Sequence, residues 1–326
     1  MVVDRSLIVK SIRRPQLGIN PDVEVLDFLA SRTRFLNVPP LVGWIEYLDT
    51  QGQGATVAVL QGFIENSGDG WRYVMSGLEE LCSTLEGAGD HAVAKPHEDR
   101  IAMLAGPLIR DVKELGVVTG GLHAALASDP HSPAFSPEPV TLRGCRPLVR
   151  AGRPRARGGR LRHGGGRAPP PGLEMIRETL RASGGRIDAS VSDVGLLGVS
   201  RTHKIRCHGD YHLGQVLKTA DGFAILDFEG EPARPRGAKR QAPALRDVAG
   251  MLRSLSYAVH ATAWRRPPER ARRGTFPSHV LGATCAARLT RGVSADRGEQ
   301  PCAARTTHRG GAVQGLRRIR AREGLL

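Results

Sequence analysis

Apolar positions in the first third of the chain follow two rhythms. Leu7, Ile8 and Val9 run into Lys10 as a short strand, and a basic turn, Arg13-Arg14-Pro15, follows. Asn20-Pro21-Asp22 reads as a helix start, with Asn20 able to cap, Pro21 suited to the first turn and acids behind it. Val23, Leu26, Leu29 and Ala30 then share one face at helical spacing, until Pro39-Pro40 ends the unit. Residues 41–47 and 55–61 are apolar runs of strand length with Gly52 and Gly54 between them, as a hairpin requires. After Gly68-Asp69-Gly70, Val74, Leu78, Leu81 and Leu85 recur every three or four residues and predict a helix. Another helix is expected over 104–126, weakened in its middle by Gly116, Gly120 and Gly121. Strands come early, helices later, and one further hairpin follows, which is an α+β order rather than alternating βαβ units.

Two stretches break the pattern. Residues 141–172 hold nine arginines and no acid, and residues 264–326 hold fourteen arginines against four acids. Together they carry nineteen net positive charges against fifteen for the whole chain, so the remainder is mildly acidic at −4. Both are dense in Arg, Gly, Pro and Ala and lack sustained periodicity, so neither is expected to bury enough apolar surface to order itself. A solvated linker and tail, a nucleic-acid tether, and out-of-frame translation of a GC-rich gene are the three readings. The tether is disfavoured because basic segments that stack bases interleave aromatics, and here Trp264 and Phe276 are the candidates. The chain shows no apolar run of membrane-spanning length and no secretion signal at its start, so a cytoplasmic location without membrane contact is expected. Cys82, Cys145, Cys207, Cys285 and Cys302 form no CxxC pair and suggest neither a disulfide framework nor a zinc site.

Candidate chemistry concentrates between residues 204 and 257. His208-Gly209-Asp210-Tyr211-His212-Leu213-Gly214-Gln215 leads into a short strand, Asp221-Gly222 signals a tight turn, and the return strand ends at Asp227-Phe228-Glu229. An antiparallel hairpin brings Asp210, Gln215 and Asp227 to one end although seventeen residues separate the two acids. Two acids and an amide oxygen at one edge suit Mg²⁺ bridging phosphates, with a carboxylate left to receive a hydroxyl proton. The bland reading of each residue stays open: an Asp beside a hairpin is commonly a turn residue, and Lys10 alone reads as a solvated strand-end lysine.

The string from His208 through Asp227-Phe228-Glu229-Gly230-Glu231-Pro232 to Leu245-Arg246-Asp247 resembles the aminoglycoside-phosphotransferase/protein-kinase-like superfamily, and maltokinases in particular. Gly18-Ile19-Asn20-Pro21-Asp22, Val38-Pro39-Pro40-Leu41 and Gly68-Asp69-Gly70-Trp71 are similar to the same family. The resemblance implies a bilobal protein-kinase-like fold. It would consist of a partial N-terminal sheet lobe over 1–66, a helical lobe over 67–263 interrupted at 141–172, and an Arg-rich disordered tail over 264–326. It implies ATP-dependent phosphorylation of maltose to maltose 1-phosphate, with ATP and Mg²⁺ as cofactors and trehalose synthase as a possible partner.

By the same resemblance Asp210 takes the acceptor's proton, Gln215 and Asp227 hold Mg²⁺, and Lys10 contacts the α/β-phosphates with Glu24 as its ion-pair partner. Gln61 and Phe63 fall where backbone groups would meet adenine. His212, Glu229 and Glu231 are candidates for acceptor contacts, His208 is a structural residue under the loop, and Asp247 braces that loop while also able to cap its own helix. Against the family, the strands and phosphate-covering loop before Lys10 are expected to be missing and the tail to replace sugar-pocket helices, so the chain alone is expected to have little activity. The competing readings are an aminoglycoside- or choline-type phosphotransferase, a pseudokinase that binds without turnover, and a nucleic-acid-binding protein using the basic stretches.

Overall fold

The computed structural model describes residues 1–87, 104–141, 203–230, 241–265, 278–295 and 318–322. Glu231 and nearly all of the 141–172 stretch lie outside them. The chain divides into two compact units, one of Met1–Ser136, Arg206–Arg240 and Ala244–Leu326, the other of Pro137–Ile205 and Gln241–Pro243. The expected division at residue 66 falls inside the first unit.

The first unit opens with strands β1 (Val2–Val3) and β2 (Leu7–Ser11), helix α1 (Pro21–Arg32), and the hairpin β3 (Leu41–Leu48) and β4 (Gly54–Gly62). Helices α2 (Gly70–Gly87) and α3 (Gly106–Leu126) follow. The strands β5 (Glu138–Pro139), β6 (His203–Arg206, of which His203–Ile205 belong to the second unit) and β9 (Gln241–Pro243) form a small sheet, with Lys204 and Glu138 paired across it at 2.8 Å. The chain completes the first unit with the hairpin β7 (Val216–Thr219) and β8 (Gly222–Ile225), helices α4 (Leu245–Trp264) and α5 (Ser278–Ala295), and strand β10 (Arg318–Arg322). Its large sheet runs β1-β2-β4-β3-β10, antiparallel except where β10 lies parallel to β3.

Local chemistry explains the elements that position the site. Asn20 caps α1 by accepting the N–H groups of Asp22 and Val23 at 2.8 and 3.4 Å, with Pro21 at the first turn. Val25, Leu26, Phe28 and Leu29 turn inward from α1 into a core shared with Val74, Leu78 and Leu81 of α2 and Leu115, Leu122 and Leu126 of α3. Each such side chain contributes about 1.5–3 kcal/mol on burial. Asp69 caps α2 by accepting the N–H of Arg72 at 2.7 Å. The hairpin β7–β8 pairs Val216 with Ile225 and Thr219 with Gly222, whose φ of +131° suits glycine.

Residues 278–295 depart from the expectation of a tail without regular structure. They form α5, which buries Cys285, Leu289 and Gly292 at spacings of four and three and leaves Arg288 and Arg291 exposed. The glycines that weakened the sequence reading of α3 have a packing role. A Cβ on Gly116 would sit 2.3 Å from the Leu289 carbonyl oxygen, and one on Gly292 would sit 2.2 Å from that of Lys113. The two helices approach closely because neither carries a side chain there. Among the described residues, no helix is long and apolar enough to cross a membrane.

Candidate active site

The site forms where α1, β2 and the segment after β8 meet. Lys10 Nζ lies 2.6 Å from Asp227 Oδ1, 3.0 Å from Asp22 Oδ2 and 3.4 Å from Glu229 Oε1. Burial alone would lower the Lys10 pKa, but the three carboxylates outweigh it and hold the ammonium above its ordinary range. Burial would likewise raise the Asp227 pKa, and the hydrogen bond and charge of Lys10 overcome this and keep it below the usual carboxylate value.

Asp22, not Glu24, is the acid of α1 that meets Lys10. Successive helical residues are rotated by about 100°, so a residue two places on faces away from the first. Glu24 instead reaches Arg206, at 2.5 Å. Asp22 is fully buried and gathers three donors: Lys10, the Gln61 side-chain amide at 3.4 Å, and the Phe228 backbone N–H at 2.7 Å. It thereby ties β2, β4 and the backbone after Asp227 to the start of α1. A carboxylate in the first turn of a helix reads from sequence as complementing the helix dipole. Nothing in the spacing of Asp22 and Glu24 tells which of them faces inward.

Asp227 sits at φ +62°, a left-handed conformation that a short polar residue tolerates at modest cost. Its Oδ2 accepts the Gln215 amide at 3.3 Å, and the Leu226 N–H donates to the Gln215 carbonyl at 2.8 Å, so the hairpin brings these two predicted residues together. His208 is fully buried. Its Nε2 lies 2.8 Å from the Leu226 carbonyl and its Nδ1 accepts the Asp210 N–H at 3.4 Å, an arrangement that suits a neutral ring with the proton on Nε2. Burial pushes its pKa down.

Asp247 is buried in the first turn of α4 and turns away from its own helix. One oxygen accepts the His208 N–H at 2.9 Å and lies 3.1 Å from His123 Nε2, and the other accepts the Gly209 N–H at 3.0 Å. Burial would raise its pKa, but the donors from His123 and the loop keep it low. Arg246 donates to the Gly209 carbonyl at 3.2 Å. Gly209, at φ +90°, is thus gripped at both its N–H and its C=O.

Asp210 follows directly and is partly exposed, with His212 Nε2 4.0 Å from its Oδ2; His212 Nδ1 accepts the Gly214 N–H at 3.0 Å. The residues expected at an adenine contact are placed differently. Gln61 lies inside β4, paired with Ile8 and Leu41, and the Phe63 N–H is engaged by the Ser6 carbonyl at 2.9 Å. The strand runs through Gly62, so these groups belong to the sheet. Sequence reasoning missed Asp22, His123 and Arg246, none of which carries a local signal of its role.

Asp22, Asp227 and Glu229 each offer an oxygen within 4.8 Å of the others. Three carboxylates around one ammonium leave an excess of negative charge, and oxygen donors of this kind fit a hard divalent cation such as Mg²⁺. A half-turn of the Gln215 amide would set its oxygen beside Asp227 Oδ2.

No family model matches the chain. Among curated proteins it is similar to a glucosamine kinase of Streptacidiphilus jiangxiensis, 26% identical over 272 residues, which covers 82% of this chain and 54% of that protein. It is also similar to a glucosamine kinase of Mycolicibacterium smegmatis, 26% identical over 259 residues, covering 79% and 56%. The chain therefore spans about half the length of these relatives. Among solved structures, a glucosamine kinase aligns with a TM-score of 0.67 at 21% identity, covering 90% of this chain and 63% of that one. A glucosamine kinase in complex with glucosamine, ADP and inorganic phosphate aligns at 0.65, also at 21% identity and 63% coverage of that chain. These likenesses show an α+β fold shared with the solved glucosamine kinases. The relatives are named glucosamine kinases, not maltokinases or aminoglycoside phosphotransferases, which corrects that resemblance; maltose, the glycogen and trehalose context and trehalose synthase go with it. A short motif shared across a fold does not by itself name the substrate.

Proposed function

We propose that this chain is the phosphotransfer part of an ATP-dependent sugar kinase whose acceptor is glucosamine or a closely related amino sugar. The observation that carries the reading is the cluster of Lys10, Asp22, Gln215 and Asp227, set beside a loop that presents Asp210 from a doubly held glycine. The acceptor class rests on the likeness to glucosamine kinases. The two-lobed kinase arrangement belongs to the same proposal.

In this reading Asp227 and Gln215 hold Mg²⁺, which supplies charge neutralisation at the phosphates when bound. Lys10, aligned by Asp22, meets the phosphate oxygens. Asp210 orients the acceptor hydroxyl and takes its proton as the oxygen attacks phosphorus. His208 stays neutral beneath the loop and holds the Leu226 carbonyl, and so the approach to Asp227, in place.

The test is acceptor-dependent ADP release from the purified chain with Mg·ATP and glucosamine, glucose, maltose or kanamycin. Weak stimulation by glucosamine, in keeping with a chain that spans about half the length of its relatives, and lost in Asp210→Ala and Asp227→Ala, is the expected result. Turnover that survives Asp210→Ala, or that responds to kanamycin and not to glucosamine, overturns the proposal. Calorimetric binding of Mg·ATP without turnover on any acceptor would mark a binding protein instead.

A further inference from the structure

We infer that His123 of α3 is a positioning residue for the catalytic turn, acting through Asp247 as a neutral hydrogen-bond donor. Its kinetic consequence rests on the phosphotransfer reading above, while its structural consequence does not.

Three observations carry the inference. First, His123 and Asp247 are both buried, at 8% and 1% side-chain exposure, with His123 Nε2 3.1 Å from Asp247 Oδ2. That same oxygen accepts the His208 N–H, and its twin accepts the Gly209 N–H. The orientation of one carboxylate therefore sets the peptide planes leading into Asp210, and His123 is the side chain that fixes the carboxylate from the other side. Second, His123 Nδ1 is buried and has no hydrogen-bond partner among the described residues. An imidazolium would place an N–H there with nothing to accept it, which is strongly disfavoured, whereas a neutral ring leaves a bare lone pair. The proton therefore sits on Nε2 and points at Asp247. Third, one turn earlier on α3, Thr119 Oγ1 lies 2.9 Å from the Tyr211 hydroxyl. Two successive turns of one helix face thus hold the loop, Thr119 directly and His123 through Asp247.

A glutamine can carry its amide nitrogen close to the place of imidazole Nε2 and is uncharged. An asparagine is too short, and a leucine fills the space without a donor. The experiment compares His123→Gln, His123→Asn and His123→Leu by hydrogen–deuterium exchange of the peptide over residues 205–213 and by steady-state kinetics with Mg·ATP and glucosamine. Circular dichroism serves as the check of folding.

Loss of one hydrogen bond to a buried carboxylate corresponds to roughly 10- to 100-fold in an equilibrium or a rate. The Asn and Leu variants are expected to lose amide protection at His208 and Gly209 and to fall about tenfold or more in kcat, with KM for ATP within about twofold. The Gln variant is expected to keep both the protection and a kcat within about threefold of the parent.

If Gln is as damaged as Leu, a neutral donor is not what the site needs and the inference is overturned. It is equally overturned if Leu leaves exchange and kcat unchanged. A parent chain without turnover would count against the functional reading alone, and the exchange comparison would still decide the role of His123.

Discussion

Replacing Asp22 by alanine tests the centre of the site most directly. The carboxylate is fully buried and accepts from Lys10 Nζ, the Phe228 N–H and the Gln61 amide. Alanine leaves two buried donors without an acceptor and removes one of the three acids around Lys10. Breaking a buried, hydrogen-bonded ion pair from one side costs about 3–5 kcal/mol. For a folded unit of this size each kcal/mol shifts the melting midpoint by roughly 2–4 °C, so Asp22→Ala should melt about 10 °C below the parent. Glu24→Gln should cost only about 1 kcal/mol, because its amide oxygen still accepts from Arg206 at a partly open site. The decisive measurement is a pair of double-mutant cycles with Lys10→Met, read by denaturant unfolding. Lys10 and Asp22 should couple by about 1.5 kcal/mol or more, whereas Lys10 and Glu24 should be additive within about 0.5 kcal/mol. Coupling of Lys10 to Glu24 and not to Asp22, or an Asp22→Ala protein that melts with the parent, would refute the argument.

Further outcomes can be checked with the same protein. His208 is held with a lowered pKa, so the unfolded chain binds its proton first. Stability is complete above the free histidine value of about 6.5 and declines as pH falls below it. Asp227 and Asp247, whose pKa values are also lowered, add a second decline below about 3.9, and a pH series of unfolding midpoints would show both. Gly292→Ala should cost about 1–3 kcal/mol in thermal melts because its methyl would meet the Lys113 carbonyl. Gly282→Ala on the same helix, where nothing lies within 4 Å, should instead gain about 0.5–1 kcal/mol. Asp227→Asn should weaken Mn²⁺ binding, followed by electron paramagnetic resonance, at least tenfold.

Features settled by neighbours in the chain were legible before any coordinates. The Asn20 cap, the β3–β4 hairpin and the Asp221-Gly222 turn are such features, because their signals lie within a few residues of their effects. The fold of the Gln215 and Asp227 hairpin was legible for the same reason. Asp22 and Glu24 could not be told apart, since what selects Asp22 is the Phe228 N–H arriving from 206 residues away. Helix α5 was hidden because its buried face is made of Cys285, Leu289 and Gly292, and small residues that pack by close approach give a weak apolar rhythm. The maltose expectation rested on a string that, in the proposed function, belongs to the phosphate side of the reaction and so says nothing of the acceptor.

The hold on Gly209 has a wider consequence. Two adjacent residues of α4 pin the peptide planes on either side of one glycine, one through its N–H and the other through its C=O. A hinge fastened on both leaves cannot swing, so the direction in which Asp210 leaves the backbone is set from beneath the loop and not by whatever lies above it. In the proposed reading, walls that recognise the acceptor are then free to diverge while the proton-accepting geometry stays constant, and a change of sugar would require no rebuilding of the mount.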